Sequence, residues 1–163
     1  MAKLKILTFP DPRLRTVAAP VIKFDKSLEN LVSDMLETMY SADGIGLAAS
    51  QVDFHERIIV MDISEERNEP KIFINPEFKV LNDKSLFSFS EGCLSVPGVT
   101  EEIVRPDSIY LTWQDINGEH HAAEPSGLLT VCIQHEIDHL EGKLMVDYLS
   151  PLKRDRIRKK ASN

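Results

Sequence analysis

The chain has 163 residues, 42% hydrophobic and 28% charged, an ordinary composition for a globular protein of one domain, here taken as 1–163. It has no run of about 18 or more apolar residues, which excludes a helix across a membrane. Its net charge of −7, from 19 basic and 26 acidic residues, argues against a general nucleic-acid binder, so no DNA partner is expected.

The basic, briefly apolar start is cut by Pro10 and Pro12 with no small-residue cleavage site after it, so no export signal is expected. Cys93 and Cys132 are too few for a disulfide framework. They read as free thiols of a reducing cytoplasm. Residues 25–41 carry Leu28, Leu31, Val32, Met35, Leu36 and Met39 at helical spacing, with Asp25 or Ser27 as caps. "DGIGLAASQV" (43–52) reads as a glycine-bearing loop entering a small-residue stretch. Its "GIG" lacks the full pattern of a dinucleotide loop. Strand patterns follow at 57–63, 71–76, 77–81 and 108–113. Asn117-Gly118 predicts a hairpin pairing 109–114 with 119–123. Helical spacing returns over 127–141 and stops at Gly142, a natural helix end. Ser150 and Pro151 suit the cap and first residue of a short last helix. Helix, strands, then helix is an α+β order.

The chemistry concentrates in "CIQHEIDHLEG" (132–142). His135 and His139 are four apart, so on a helix both rings face one cation, and Glu136 beside them can reach a water on it. A catalytic site of this kind needs a third ligand. Downstream, Met145 stands where one protease class has its third histidine, and no glutamate follows Glu141. Cys132 shares the helix face, but a metal between the histidines lies about five residues on. At a rise of about 1.5 Å per residue that is roughly 7–8 Å along the axis, beyond the roughly 4 Å reach of a cysteine. Cys132 therefore reads as a packing residue. Cys93, in "EGCLSVPG" (91–98), sits in an irregular or strand-edge segment and can approach from another element as a thiolate. His120 and His121, just after a hairpin turn, are the other options.

"GIGLAASQV" (44–52), "EGCLSVPG" (91–98) and "QHEIDHLEGKL" (134–144), with "FPDPRLR" and "DYLSPLKRDRI" towards the two ends, resemble the signature segments of bacterial peptide deformylases. The resemblance spans nearly the whole chain. It implies an α+β fold with antiparallel β-sheets packed around a central HExxH-bearing helix, plus an N-terminal and a short C-terminal helix. It assigns the metal to Cys93, His135 and His139, the acid/base to Glu136, and the oxyanion donors to the Gln51 side chain and the Leu94 backbone N–H. Gly46 resembles the residue whose backbone pairs with substrate. Ile45, Phe89, Leu128, Val131 and Cys132 resemble a methionine pocket, and Glu91, ion-paired with Arg105, a carboxylate behind the ligands. The implied metal is Fe(II), with zinc, nickel or cobalt as substitutes. The implied substrates are nascent peptides beginning with formylmethionine, in the bacterial cytoplasm.

Residues 151–160 hold six basic residues and one acidic, while the remaining chain holds 13 basic and 25 acidic. The resemblance suggests that basic residues 153–160 form a helix that docks on ribosomal RNA. A monomer is the default, since no heptad seam appears. Two rival readings remain: an HExxH zinc peptidase cutting internal peptide bonds, and a non-enzymatic structural-metal protein that binds ribosomes.

Overall fold

The computed structural model describes residues 2–161. Helix α1 (Lys26–Ser41) begins where Asp25 accepts a hydrogen bond from the Leu28 amide at 3.1 Å. It buries Leu28, Val32, Met35 and Met39, one face at helical spacing. Seven strands follow: β1 (Gly46–Ala48), β2 (Ile58–Met61), β3 (Lys71–Val80), β4 (Leu86–Cys93), β5 (Val96–Pro106), β6 (Ile109–Gln114) and β7 (His120–Ala123). Helix α2 (Leu128–Leu140) and helix α3 (Pro151–Ala161) complete the order.

Five strands form an antiparallel sheet in the order β1-β2-β3-β6-β7. Strand β2, Ile58-Ile59-Val60-Met61, is fully buried because both faces of the sheet are covered. Ile58 and Val60 pack with α1, through Leu28, Val32, Met35 and Met39. Ile59 and Met61 pack with α2, through Cys132, Ile133, Ile137 and Leu140. Each such aliphatic side chain contributes about 1.5–3 kcal/mol when fully buried. This sandwich fixes α2, and hence its histidines, relative to β1.

Strands β4 and β5 form a separate two-stranded ribbon turning at Leu94–Ser95. A third apolar cluster (Leu7, Phe9, Leu14, Val96, Leu144, Met145 and Val146) joins the turn end of the ribbon to the N-terminal segment and the chain after α2. Two backbone bonds lock the same junction: Leu7 N–H to the Gln51 carbonyl and Phe9 N–H to the Ser95 carbonyl, both 2.7 Å.

The structure departs from the sequence expectation in two places. Residues 71–76 and 77–81 are one strand, not two; a register shift between Ile74 and Glu77 absorbs Pro76, which has no N–H to give the ladder. The Asn75 side chain stabilises that bulge through Val21 and Gln114. "GIGLAASQV" is not simply a loop, because Gly46–Ala48 pair with β2 before a 3-10 turn over Ala49–Val52. Cys93 meets its expectation: it is the last residue of β4, just after a register shift between Gly92 and Cys93.

Helix α2 ends as expected at Gly142. Its amide donates to the His139 carbonyl at 3.1 Å and the Lys143 amide to the Asp138 carbonyl at 2.8 Å, a Schellman closure. A Cβ at Gly142, whose φ is +77°, would lie 2.5 Å from the Arg15 carbonyl oxygen.

Candidate metal centre

Helix α2 places His135 and His139 one turn apart, with ring centroids 5.1 Å from each other and both rings buried. Strand β4 brings Cys93 to them from the ribbon. Its Sγ lies 3.2 Å from His139 Nε2, and one donor atom from each of the three residues lies within 4.8 Å of the others. Cys132 does not join this group; it is buried in the core, where burial pushes its thiol up to about 12. His120 and His121 do not join it either. They lie exposed on β7, and His121 pairs with Asp115 at 2.7 Å.

Behind the rings runs a closed circuit of charge. His135 Nδ1 lies 3.0 Å from Glu91 Oε1, which leaves Nε2 for a metal. Arg105 grips Glu91 with two bonds, Nε to Oε2 at 2.6 Å and Nη2 to Oε1 at 2.8 Å. Its Nη1 donates to Asp138 Oδ2 at 3.0 Å, and Tyr148 Oη donates to the same oxygen at 2.6 Å. The circuit starts and ends on α2 and passes through both strands of the ribbon that carries Cys93. Burial alone would raise Glu91, but Arg105 and His135 hold its carboxyl below the usual range. Burial disfavours charge on both rings. At His135 the Cys93 sulfur and Glu91 outweigh it and hold the imidazole well above its usual range. At His139 burial and the neighbouring His135 push it well below.

In front of the rings opens a cleft of about 660 Å³, lined on one side by Gly44, Ile45 and Gly46 and on the other by Cys93, Leu94 and Pro97. Glu136 is at its floor, and burial raises its carboxyl to about 7. Glu136 Oε1 is buried with no partner among the described residues. A Cβ at Gly46 would lie 2.6 Å from Glu136 Oε2. Gln51 is oriented at both ends of its amide: Oε1 accepts from the Ala48 N–H at 2.9 Å, and Nε2 donates to Ser95 Oγ at 3.0 Å while lying 3.7 Å from Cys93 Sγ.

Of the expected methionine-pocket residues, Ile45 lines this cleft. Phe89 lies on β4 but is exposed and does not line the cleft. Leu128, Val131 and Cys132 lie on the N-terminal half of that helix. Asp138, Tyr148 and Ser95 were not anticipated. Asp138 carried a signal, an acid three residues after His135 on a mostly buried helix; Tyr148 and Ser95 carried none.

A family model for polypeptide deformylase matches residues 3–155. A peptide deformylase of Teredinibacter turnerae is 60% identical over 160 residues, covering 98% of this chain and 95% of the relative. The chain belongs to the polypeptide deformylase family. A second relative, the peptide deformylase of Hahella chejuensis, is 59% identical with the same coverage. A crystal structure of a Legionella pneumophila peptide deformylase superposes with a TM-score of 0.91 at 45% identity, covering 99% of this chain and 94% of that one. The Ehrlichia chaffeensis enzyme, solved in complex with actinonin, gives 0.93 at 42% identity, covering 99% and 97%. This deformylase-family chain is therefore a hydrolase and a metalloenzyme. The donor set fits a metal of that kind: a thiolate with two imidazoles suits a divalent transition metal rather than magnesium or calcium.

Proposed function

We propose that the Cys93/His135/His139 centre, with Glu136 beside it, is where this hydrolase removes the formyl group from the N-terminal formylmethionine of newly made polypeptides. The observation that carries the reading is the convergence of three donors within 4.8 Å, two of which, Cys93 and His135, line the cleft beside Glu136, whose Oε1 is buried with no partner among the described residues. A divalent cation held by Cys93, His135 and His139 supplies a Lewis acid and lowers the pKa of water toward neutrality.

The other roles belong to the chain. Glu136, whose carboxyl burial raises to about 7, is suited to take a proton from the attacking water and return it to the departing amine. Water adds to the formyl carbon, the C–N bond breaks, and formate and a free N-terminus leave. Gln51 Nε2, held toward Cys93, and the Leu94 N–H face the developing oxyanion. One such donor is typically worth about 10²–10³ in rate. Gly46 offers its backbone to the peptide, Ile45, Phe89, Leu128, Val131 and Cys132 enclose the methionine side chain, and Glu91 with Arg105 orients His135. Fe(II) is the working metal, with zinc, nickel or cobalt able to substitute.

We further propose a cytoplasmic monomer, one catalytic unit over 1–163, whose basic helix α3 docks on ribosomal RNA. None of that helix is buried and its last turn carries Arg158, Lys159 and Lys160; such docking weakens steeply with salt. The functional reading is tested by formate release from formyl-Met-Ala-Ser by the Fe(II)- or Ni(II)-loaded protein. Release of formate with no cleavage of a blocked internal peptide is expected. Cleavage of internal bonds without formate release would overturn the reading.

A further inference from the structure

We infer that Arg67 is a positioning residue for peptide binding, holding the Gly44–Gly46 strap where its backbone can pair with substrate. The inference rests on the functional reading above and extends it to a residue outside the three motif segments.

Strand β1 is the outermost strand of the five-stranded sheet, with β2 on one side only. The Asp62 N–H donates to the Ile45 carbonyl from the β2 side at 2.8 Å. In an antiparallel ladder successive residues turn their polar groups to opposite sides, so Gly46 presents its N–H and carbonyl to the free edge. That edge borders the cleft with Cys93, His135 and Glu136. An extended peptide added there gains main-chain hydrogen bonds, and its register against the metal ligands follows the position of the strap.

Beyond the short β1–β2 ladder and the Asp62–Ile45 bond, few contacts fix the start of the strap. The strand is three residues long, and Asp43 just before the strap has a φ of 56°. From behind, the Gly44 N–H donates to the Met39 carbonyl at 2.9 Å. The Gly44 carbonyl is taken by Arg67 Nη2, while Nη1 of the same guanidinium donates to the Asp62 carbonyl at 2.8 Å. One planar fork thus ties the start of the strap to the end of β2. The fork is itself fixed: it lies 5.2 Å from the centroid of the Tyr40 ring, and Tyr40 Oη donates to Asp62 Oδ2 at 2.6 Å. Ser64 and the Glu69 amide hold the rest of the Asp62 carboxylate.

In front, the strap has no room to move forward. A Cβ at Gly44 would lie 2.6 Å from a Leu94 methyl, as one at Gly46 would from Glu136 Oε2. Releasing the Gly44 carbonyl lets the strap fall back from the cleft, and a peptide must then reorder it on binding. That cost falls on binding and not on the chemical step of a bound substrate. A lysine at 67 presents one ammonium in place of a fork and cannot reproduce the two-carbonyl geometry.

The test compares Arg67→Lys, Arg67→Ala and Tyr40→Phe with the parent protein, all metal-loaded. KM and kcat are measured for formyl-Met-Ala-Ser, and the Kd of the product peptide Met-Ala-Ser is measured on the same samples. KM and Kd should rise together by about three- to tenfold in both Arg67 variants, as expected when a segment must be ordered on binding. Tyr40→Phe should shift both in the same direction by less, with kcat within about twofold throughout. Unchanged KM and Kd in the Arg67 variants, or a fall in kcat at constant KM, would overturn the inference. Should Arg67→Ala fail to fold, Arg67→Lys decides. A parent protein that binds Met-Ala-Ser in an Arg67-dependent way yet releases no formate would sink the deformylase reading and leave this one standing.

Discussion

Gly46 and Glu136 meet across the cleft with no room for a methyl group: a Cβ at 46 would come within 2.6 Å of Glu136 Oε2. Gly46→Ala should therefore displace the carboxylate and leave the fold intact, because the atom a Cβ meets most closely is the far end of the Glu136 side chain, which borders the cleft, and not backbone. Misplacing a reacting group by about 1 Å can cost roughly 10²-fold. A fall of that order in kcat/KM, with the thermal midpoint nearly unchanged, is the expected outcome of steady-state assays and thermal denaturation. At this scale much of the site was legible. The spacing of His135 and His139 announced the pair, and the reach of a cysteine side chain argued against Cys132, which the structure buries in the core. What spacing could not supply was Ser95 orienting Gln51 or Tyr148 holding Asp138, because those contacts depend on how distant segments meet.

The decisive arrangement of elements is the staple between α2 and the β4–β5 ribbon. His135, Glu91, Arg105 and Asp138 link the helix to both strands and back again, so they set the separation of Cys93 from the two histidines. Glu91 and Arg105 are each 4% exposed, too buried for water to replace a lost partner. Arg105→Met should destabilise the protein by about 3–5 kcal/mol, the usual cost of breaking a buried pair by removing one member. Urea unfolding of the metal-loaded protein measures it, and Co(II) or Ni(II) affinity should weaken in the same variant. The ribbon was the element that sequence patterning missed. Ser88, Phe89 and Ser90 are all exposed, so the strand lacks the clean apolar alternation of a half-buried one. The three helices and the β6–β7 hairpin were legible because α1 is amphipathic, α2 stops at a glycine, Pro151 opens α3 and Asn117-Gly118 marks a turn.

For the molecule as a whole, the core explains the two covered faces of the sheet, and a few buried carboxylates explain its response to acid. Burial alone would raise Asp62, but the Ser64 hydroxyl, Tyr40 and the backbone amides of Ser64 and Glu69 hold it well below the carboxylate range. Asp147 is likewise held down, against its burial, by Arg15 and the Leu144 amide. A carboxyl whose folded pKa lies below its unfolded value stabilises the fold fully above the unfolded pKa, near 4. That stability is lost as pH falls toward the folded value. Urea midpoints should therefore change little through these groups at neutral pH and fall below about pH 4. Asp62→Asn should lower the neutral-pH midpoint and flatten the acid decline. The charge asymmetry between the acidic body and helix α3 was plain in the sequence. The clamp made by Arg67, Tyr40 and Asp62 was not, since it joins the end of a helix, the end of a strand and a loop.

In the proposed mechanism Cys93, His135 and His139 form the reaction centre and Glu136 moves its proton. Formate release from formyl-Met-Ala-Ser by metal-loaded Glu136→Ala, with metal content determined on the same sample, tests it most directly. Metal binding should persist while the rate falls by about 10²–10⁴-fold, the range of a lost general acid–base. Full activity in that variant would contradict it.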